Sequence, residues 1–481
     1  MNLTDPQAQL LIPAEFEECL ARQRVAYLAE PNPSYAQRVS DLNALARMLK
    51  ENQDAIVAAI CRDYTNRAEF ETLFAEFFIC LEGIRDTIKH LKRWMKPMKR
   101  HVDFMLYPLA KNRLIPQPLG VVGVITPWNF PLYLAFGPLT GIFAAGNRAM
   151  VKMSENSVNL ARLLISLSPK YFPADKLMFF EDGGGRGPAF GALPFDHLLF
   201  TGSGQTGRAV MAAAARNLTP VTLELGGKAP AIVGADFPIK TAAERLLWVK
   251  MFNAGQVCLN VDYLFLPEGR VDEFVEHARR VVAQRYPDIN GVDYTSIIDE
   301  RSHKRLSEML EDARAKGATL VNLMPTQQAD PALRKLAPHL VLNVSEDMQV
   351  MQREIFGPIL PIRTYRDPEE VVRYITAHDR PLAIYPFTHD KALQQLYIDR
   401  VMSGGVSVNE AMMHVTQHDM PFGGVGASGM GHYHGYEGFV TFSKLRPVFY
   451  QAPFSVIQML FLPPYGTRVT KIINLLIKLK G

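Results

Sequence analysis

Cysteine is scarce in this chain: four in 481 residues, at Cys19, Cys61, Cys80 and Cys258, with no CxxC pair and no regular framework. That argues against a disulfide scaffold and fits a reducing compartment. Excess charge is also missing. Lys and Arg total 52 against 48 Asp and Glu, a formal net charge of +4, too small for this size to suggest nucleic acid as a partner. No run of about eighteen apolar residues is present, so no membrane-spanning helix is expected. The opening Met1-Asn2-Leu3-Thr4-Asp5-Pro6 has no basic segment followed by an apolar core, so no secretory signal is expected, and the cytoplasm is the expected compartment. With 48% hydrophobic and 21% charged residues, the chain reads as globular, and its length asks for two or three domains.

Residues 33–96 carry a helical period. Leu42, Leu45, Ala46 and Leu49 recur at three and four, followed by Ile56, Ala59 and Ile60. A second amphipathic run over residues 71–91 places Phe74, Phe77, Phe78 and Leu81 on one stripe. The basic cluster Lys89, Lys92, Arg93, Lys96, Lys99 and Arg100 reads as a solvated helix face, and no catalytic constellation is visible in this third. After Pro116 the pattern changes to short apolar runs separated by helix-length segments, which predicts an α/β fold with a parallel, doubly wound sheet.

One loop, Phe200-Thr201-Gly202-Ser203-Gly204-Gln205-Thr206-Gly207, follows such a run and opens a helix. Gly202, Gly204 and Gly207 match GxGxxG, a spacing that lets backbone amides approach a pyrophosphate, although the match falls late in the sheet. Lys152 and Glu155, past another strand end, are candidates for binding ribose hydroxyls or for a plain salt pair. Lys228 is not a P-loop lysine, because Ala229 stands where Ser or Thr is required.

The chemistry concentrates in two places. Cys258 lies in Phe252-Asn253-Ala254-Gly255-Gln256-Val257-Cys258-Leu259-Asn260, and Glu224, thirty-four positions upstream, lies in Leu223-Glu224-Leu225-Gly226-Gly227-Lys228. A thiol and a carboxylate can divide one reaction between them, the thiol as nucleophile and the carboxylate as the base that activates water. His414 and His418 are four apart, with His432 and His434 beyond, but without the HExxH glutamate the stretch reads as a loop at a substrate mouth and no metal is expected. Near the end, residues 467–480 pattern as a basic amphipathic helix, which suits either a membrane surface or a cover over a substrate entrance.

Six motifs in order make the chain resemble the aldehyde dehydrogenase superfamily: Pro127-Trp128-Asn129-Phe130-Pro131, Phe200-Thr201-Gly202-Ser203, the Glu224 and Cys258 stretches, Glu354-Ile355-Phe356-Gly357-Pro358, and Pro421-Phe422-Gly423-Gly424-Val425-Gly426. Within it the chain is similar to the class 3 branch, and there to bacterial coniferyl aldehyde dehydrogenases. The residues that carry this are Asn147-Arg148-Ala149-Met150-Val151-Lys152-Met153-Ser154-Glu155, Leu193-Pro194-Phe195-Asp196-His197 and Gly429-Met430-Gly431-His432-Tyr433-His434-Gly435. Val257, Leu259-Asn260 and the glycine-rich Glu181-Asp182-Gly183-Gly184-Gly185 depart from the family pattern, and the Leu259-Asn260 change bears on the aldehyde pocket.

The resemblance implies the aldehyde dehydrogenase fold, with a Rossmann-like cofactor domain (residues 1–102 and 118–225, rejoined by about 428–441), an α/β catalytic domain (226–427), oligomerisation strands (103–117 and 442–450) and a tail (451–481). It also implies NAD(P)-dependent oxidation of an aldehyde to an acid, with Cys258 as nucleophile, Asn129 as oxyanion donor with the Cys258 backbone amide, and Glu224 as the deacylating base. Glu224 disfavours transfer of the acyl group to coenzyme A or phosphate. By the same resemblance Thr126, Trp128, Lys152, Glu155, Gly202, Ser203, Gly207, Leu225, Gly226, Glu354 and Phe356 bind the cofactor, which is NAD, with NADP possible. A homodimer is expected. The substrate is a small aldehyde, coniferyl-type or aliphatic, in an apolar tunnel formed by Trp128, Tyr133, Phe252 or their neighbours. A catalytically silent relative is the alternative of another kind.

Overall fold

The computed structural model describes residues 12–183 and 185–480. Its first sheet has six strands and grows outward from Val121–Ile125, whose five residues are all buried, as a strand covered on both faces requires. Arg148–Lys152 and then Leu177–Phe180 add in parallel on one side. The chain then crosses back, and His197–Gly202 and Val221–Leu225 add in parallel on the other. Gly429–Met430 closes that edge antiparallel. The direction of growth reverses between Val121–Ile125 and His197–Gly202, and open α/β sheets bind ligands at such a switch point. Gly202 ends the second of these strands. The glycine loop is late in sequence because it opens the second half of the sheet.

The second sheet has seven strands, ordered Thr319–Asn322, His339–Leu342, Ile359–Tyr365, Tyr263–Pro267, Pro230–Val233, Ala383–Phe387 and Gly405–Val406. All neighbours are parallel except the first pair. Only residues 226–229 separate the last parallel strand of the first sheet from Pro230–Val233 of the second. Chemistry placed at either end of that link therefore sits at the seam between the sheets.

Two helices of the N-terminal third, Tyr35–Glu51 and Ile79–Trp94, pack against Tyr133–Ala145, a helix almost entirely buried, while Gln53–Tyr64 packs against Val158–Leu167. The expected single stripe over residues 71–91 is broken by a π-helical stretch, Leu73–Phe78. Its i→i+5 bonding shifts the phase of the helix, so Phe77 is buried while Phe78 is 53% exposed. A third, antiparallel sheet pairs Lys111–Pro118 with Met98–Arg100 on one side and with Ser443–Tyr450 on the other. The tail contains the helix Thr467–Lys480, which half-covers Val469, Ile472 and Leu476 and exposes Ile473, Leu475, Ile477 and Leu479. Among the described residues, no helix is long and apolar enough to cross a membrane.

Candidate active site

Cys258 sits in a loop between the helix Ile239–Met251 and the strand Tyr263–Pro267. The loop begins with three successive left-handed residues, Asn253 (φ 51°), Ala254 (φ 49°) and Gly255 (φ 77°). Two of them carry side chains, so the turn is costly and must be held from outside. Gln256 supplies much of the hold. Fully buried, it donates to the carbonyls of Asn253 (2.9 Å) and Ser296 (3.0 Å) and accepts from the amide of Ile298 (3.0 Å). Asn260 donates to the Gly255 carbonyl at 2.6 Å, and Lys250 to the Val261 carbonyl at 3.0 Å. A side chain at Gly255 would strike the Gly357 carbonyl, with Cβ at 2.3 Å, so the turn lies directly on the Glu354-to-Pro358 motif. Leu259 and Asn260 are spent on this scaffold: Asn260 ties the turn, and the Leu259 carbonyl accepts from the Tyr385 hydroxyl at 2.6 Å.

Asn129 is clasped by the same loop. Its Nδ2 donates to the Gln256 carbonyl at 3.3 Å, and its own carbonyl accepts from Asn253 Nδ2 (3.1 Å) and the Tyr64 hydroxyl (3.0 Å). Glu224, near the end of the strand Val221–Leu225, is 3% exposed, and neither carboxylate oxygen has a hydrogen-bond partner among the described residues. Burial alone holds its carboxyl well above the usual range. Burial likewise pushes the half-buried Cys258 thiol up to about 12, with further upward pressure from Glu354 and Glu224 and a smaller opposing pull from the amides of Cys258 and Leu259. Glu354 is raised to about 8, by burial first and then by Asp262. With its carboxyl raised to about 8, Glu354 is largely neutral near pH 7, which lessens the repulsion it would otherwise exert on a thiolate at Cys258.

Glu354 reaches this seam through Gly226, where a Cβ would lie 2.0 Å from its carboxylate. The Gly227 amide donates to the same carboxylate. An ion pair of Lys228 with Asp262 holds the motif from behind, and Asp262 accepts from the Ile355 amide at 2.9 Å. Trp128 packs edge-on against Phe356, their ring centroids 5.4 Å apart. At the switch point, Ser203 caps the helix Gly204–Ala215 by accepting from the Thr206 amide at 3.3 Å, and Gly207 leaves the space taken by Leu225, which a Cβ would enter at 2.6 Å. Among the described residues, Glu354 Oε1 and Thr201 Oγ1 are buried without hydrogen-bond partners, as expected of atoms that wait for a ligand's hydroxyls. These residues fit a nicotinamide dinucleotide. Thr126 bonds the Lys152 carbonyl from both its amide (3.0 Å) and its hydroxyl (3.2 Å). The Lys152 ammonium pairs with Asp182, and Glu155 is exposed beside Ser154. Asp182 belongs to the glycine-rich departure, where it also accepts from the amides of Gly185 and Arg186.

A narrow cavity of about 40 Å³ is lined by residues including Cys80, Tyr133, Gly137, His418, Tyr433 and His434. The Tyr133 hydroxyl meets His434 Nε2 at 2.8 Å, and Glu224 and Cys258 are near enough to Tyr433 to help raise its hydroxyl. Of the three expected tunnel residues, only Tyr133 lines this cavity. Phe252 packs between Trp248 and Phe130, and Trp128 packs against Phe356. His414 meets Ser407 Oγ at 2.9 Å, and no metal-binding group of three His, Cys, Asp or Glu occurs among the described residues. A larger recess of about 620 Å³, lined by Glu300, Arg301, Lys304, Arg305, Glu308 and Arg353, contains none of the candidate catalytic groups.

The model of the aldehyde dehydrogenase family matches residues 10–448. A probable coniferyl aldehyde dehydrogenase of Pseudomonas aeruginosa is 50% identical over 460 residues, 95% of each chain. A coniferyl aldehyde dehydrogenase of Pseudomonas sp. (strain HR199) is 44% identical over 461 residues, again 95% of each. Among solved structures, a substrate-bound state of Staphylococcus aureus AldH superposes with a TM-score of 0.89 at 33% identity, covering 96% of this chain and 99% of that one.

Proposed function

The chain belongs to the aldehyde dehydrogenase family, and from that premise we propose that it oxidises aromatic, coniferyl-type aldehydes to carboxylic acids with Cys258, Asn129 and Glu224 as its reacting groups. It is an NAD(P)-dependent enzyme with the fold of that family.

In this reading the Cys258 thiolate adds to the aldehyde carbon and makes it tetrahedral. The Asn129 amide, now resting on the Gln256 carbonyl, turns with the Cys258 backbone amide to the new oxyanion, each donor worth about 3 kcal/mol. When bound, NAD(P) would supply the hydride acceptor, and loss of hydride from the tetrahedral carbon would leave a thioester on Cys258. Gly202, Ser203 and Gly207 would admit its phosphates, Lys152 and Glu155 would face the adenosine ribose, and Glu354 the nicotinamide ribose, with Thr126, Trp128, Leu225, Gly226 and Phe356 shaping the cleft. Glu224 then takes a proton from water, which attacks the thioester and releases the acid. A carboxyl with both oxygens free is suited to that work, since no partner has to be broken to reach water. That pairing of a free acid with a tightly held thiol carries the proposal. Tyr133 and Tyr433, both near Cys258, are aromatic groups that suit an aryl substrate.

The sheet formed by Lys111–Pro118 and Ser443–Tyr450 exposes Phe449 and Tyr450, with Phe104 and Leu109 close in sequence, and these apolar groups support a homodimer. Four free cysteines, one of them catalytic, support a cytoplasmic setting. The test is NADH or NADPH formation across an aldehyde panel for wild type and Cys258→Ala. Turnover of cinnamaldehyde-type substrates that vanishes in the variant is expected. Preference for alkanals would discard the aromatic assignment, and no turnover with either cofactor would discard the mechanism.

A further inference from the structure

Two helical residues and one in the link before them, far from every sequence motif, place three ionisable groups under the two catalytic loops. Arg67 and Glu76 pair at 2.8 Å with both side chains at zero exposure. Arg67 also lies 5.0 Å from the ring centres of Tyr64 and of Phe130, the residue after Asn129. Glu76 Oε2 accepts from the amides of Leu132 (2.7 Å) and Tyr133 (3.2 Å), the start of the helix that follows Asn129. Glu71 Oε1 accepts from the amide of Asn253 (2.9 Å), the first left-handed residue before Cys258, and its Oε2 from the Thr295 hydroxyl (2.6 Å).

The two carboxylates are five residues apart, and in an α-helix such residues diverge around the axis. The stretch between them turns π-helical at Leu73–Phe78, and i→i+5 bonding brings positions five apart toward one face. A wide turn costs helix stability, and buried ions cost several kcal/mol each unless well compensated. Here the amides that compensate the two carboxylates belong to the catalytic loops, and Arg67 is compensated by Glu76 and two aromatic rings.

We propose that Glu71 and Glu76 are positioning residues for the oxyanion site. Glu76, locked by Arg67, sets Asn129; Glu71 sets the Cys258 turn; and the π turn between them fixes the spacing of the two donors. This rests on the reading of Asn129 as an oxyanion donor.

The experiment is a double-mutant cycle on kcat, using the full-length enzyme with NAD and a cinnamaldehyde-type substrate. Asn129→Ala alone lowers kcat about 10²–10³-fold. Glu76→Gln lowers it about tenfold beside Asn129 but less than twofold beside Asn129→Ala, with KM for NAD unchanged, because displacing a donor that is already gone costs nothing further. An equal loss in both backgrounds overturns the proposal and leaves the catalytic reading standing, whereas a harmless Asn129→Ala overturns that reading itself. Where Glu76→Gln does not yield folded protein, Glu76→Asp keeps the charge, shortens the reach and enters the same cycle, and wild-type kcat for it overturns the proposal. For Glu71, Glu71→Gln slows iodoacetamide alkylation at Cys258 about tenfold. An unchanged rate removes Glu71 from the proposal.

Discussion

The thiol loop and the glutamate strand end face each other and are built in opposite ways. Around Cys258 the side-chain donors are committed, although the Asn253 and Asn260 Oδ1 atoms have no partner among the described residues: Gln256 makes three hydrogen bonds, Asn260 closes the turn and Lys250 ties its far end. Glu224 is equally buried, yet its carboxyl touches no donor among the described residues. A nucleophile gains from rigidity because its attack needs one geometry. A base gains from freedom and from a raised proton affinity, because it must reach water late in the cycle. The contrast predicts that one loop trades in stability and the other in rate.

The largest effect follows from Glu224→Gln. Steady-state turnover falls about 10²–10⁴-fold while the melting temperature holds or rises, because a buried carboxyl without partners has been neutralised. A pre-steady-state burst of NADH persists, since thioester formation does not use this group; loss of the burst would mean that Glu224 acts before deacylation. Gln256→Ala does the reverse. It strands the Ser296 and Asn253 carbonyls and the Ile298 amide, at about 1–3 kcal/mol for each buried group left unpaired. Its denaturation midpoint should drop sharply, and an unchanged midpoint would break the comparison.

Legibility divided along the same line. Cys258, Glu224, Asn129 and Glu354 could be picked out in the sequence because reacting groups occupy fixed places in short motifs. The parallel sheet was legible because strands buried on both faces are continuous apolar runs. Gln256 was quoted without a role, Asn260 was read toward the aldehyde pocket when it ties the turn, and Glu71, Glu76 and Arg67 drew no reading, because a buried carboxylate and a solvated one look alike in a helical period.

Two smaller effects sharpen the role of the seam. Gly226→Ala puts a methyl 2.0 Å from the Glu354 carboxylate, so KM for NAD should rise roughly tenfold with little change in the rate of Cys258 alkylation. Equal damage to both would show the seam to be one rigid block. Glu354 also makes stability depend on pH. Its folded value of about 8 lies above the unfolded one near 4.5, so between them the folded state binds more protons. That stability is complete below about pH 4.5 and is lost as pH rises through about 8. The melting temperature of cofactor-free protein should therefore decline over this window, and less steeply in Glu354→Gln. An identical slope would remove Glu354 as a cause.

By itself, the sequence singled out the candidate reacting groups and determined the layer class, since bond-making chemistry admits few residue types and hydrophobic periods report local geometry. Only the tertiary structure decided what holds those groups in place. The supports of Cys258 and Asn129 come from a helix layer more than fifty residues away in the chain, and burial, which makes their charges costly and specific, exists only once distant segments have packed together.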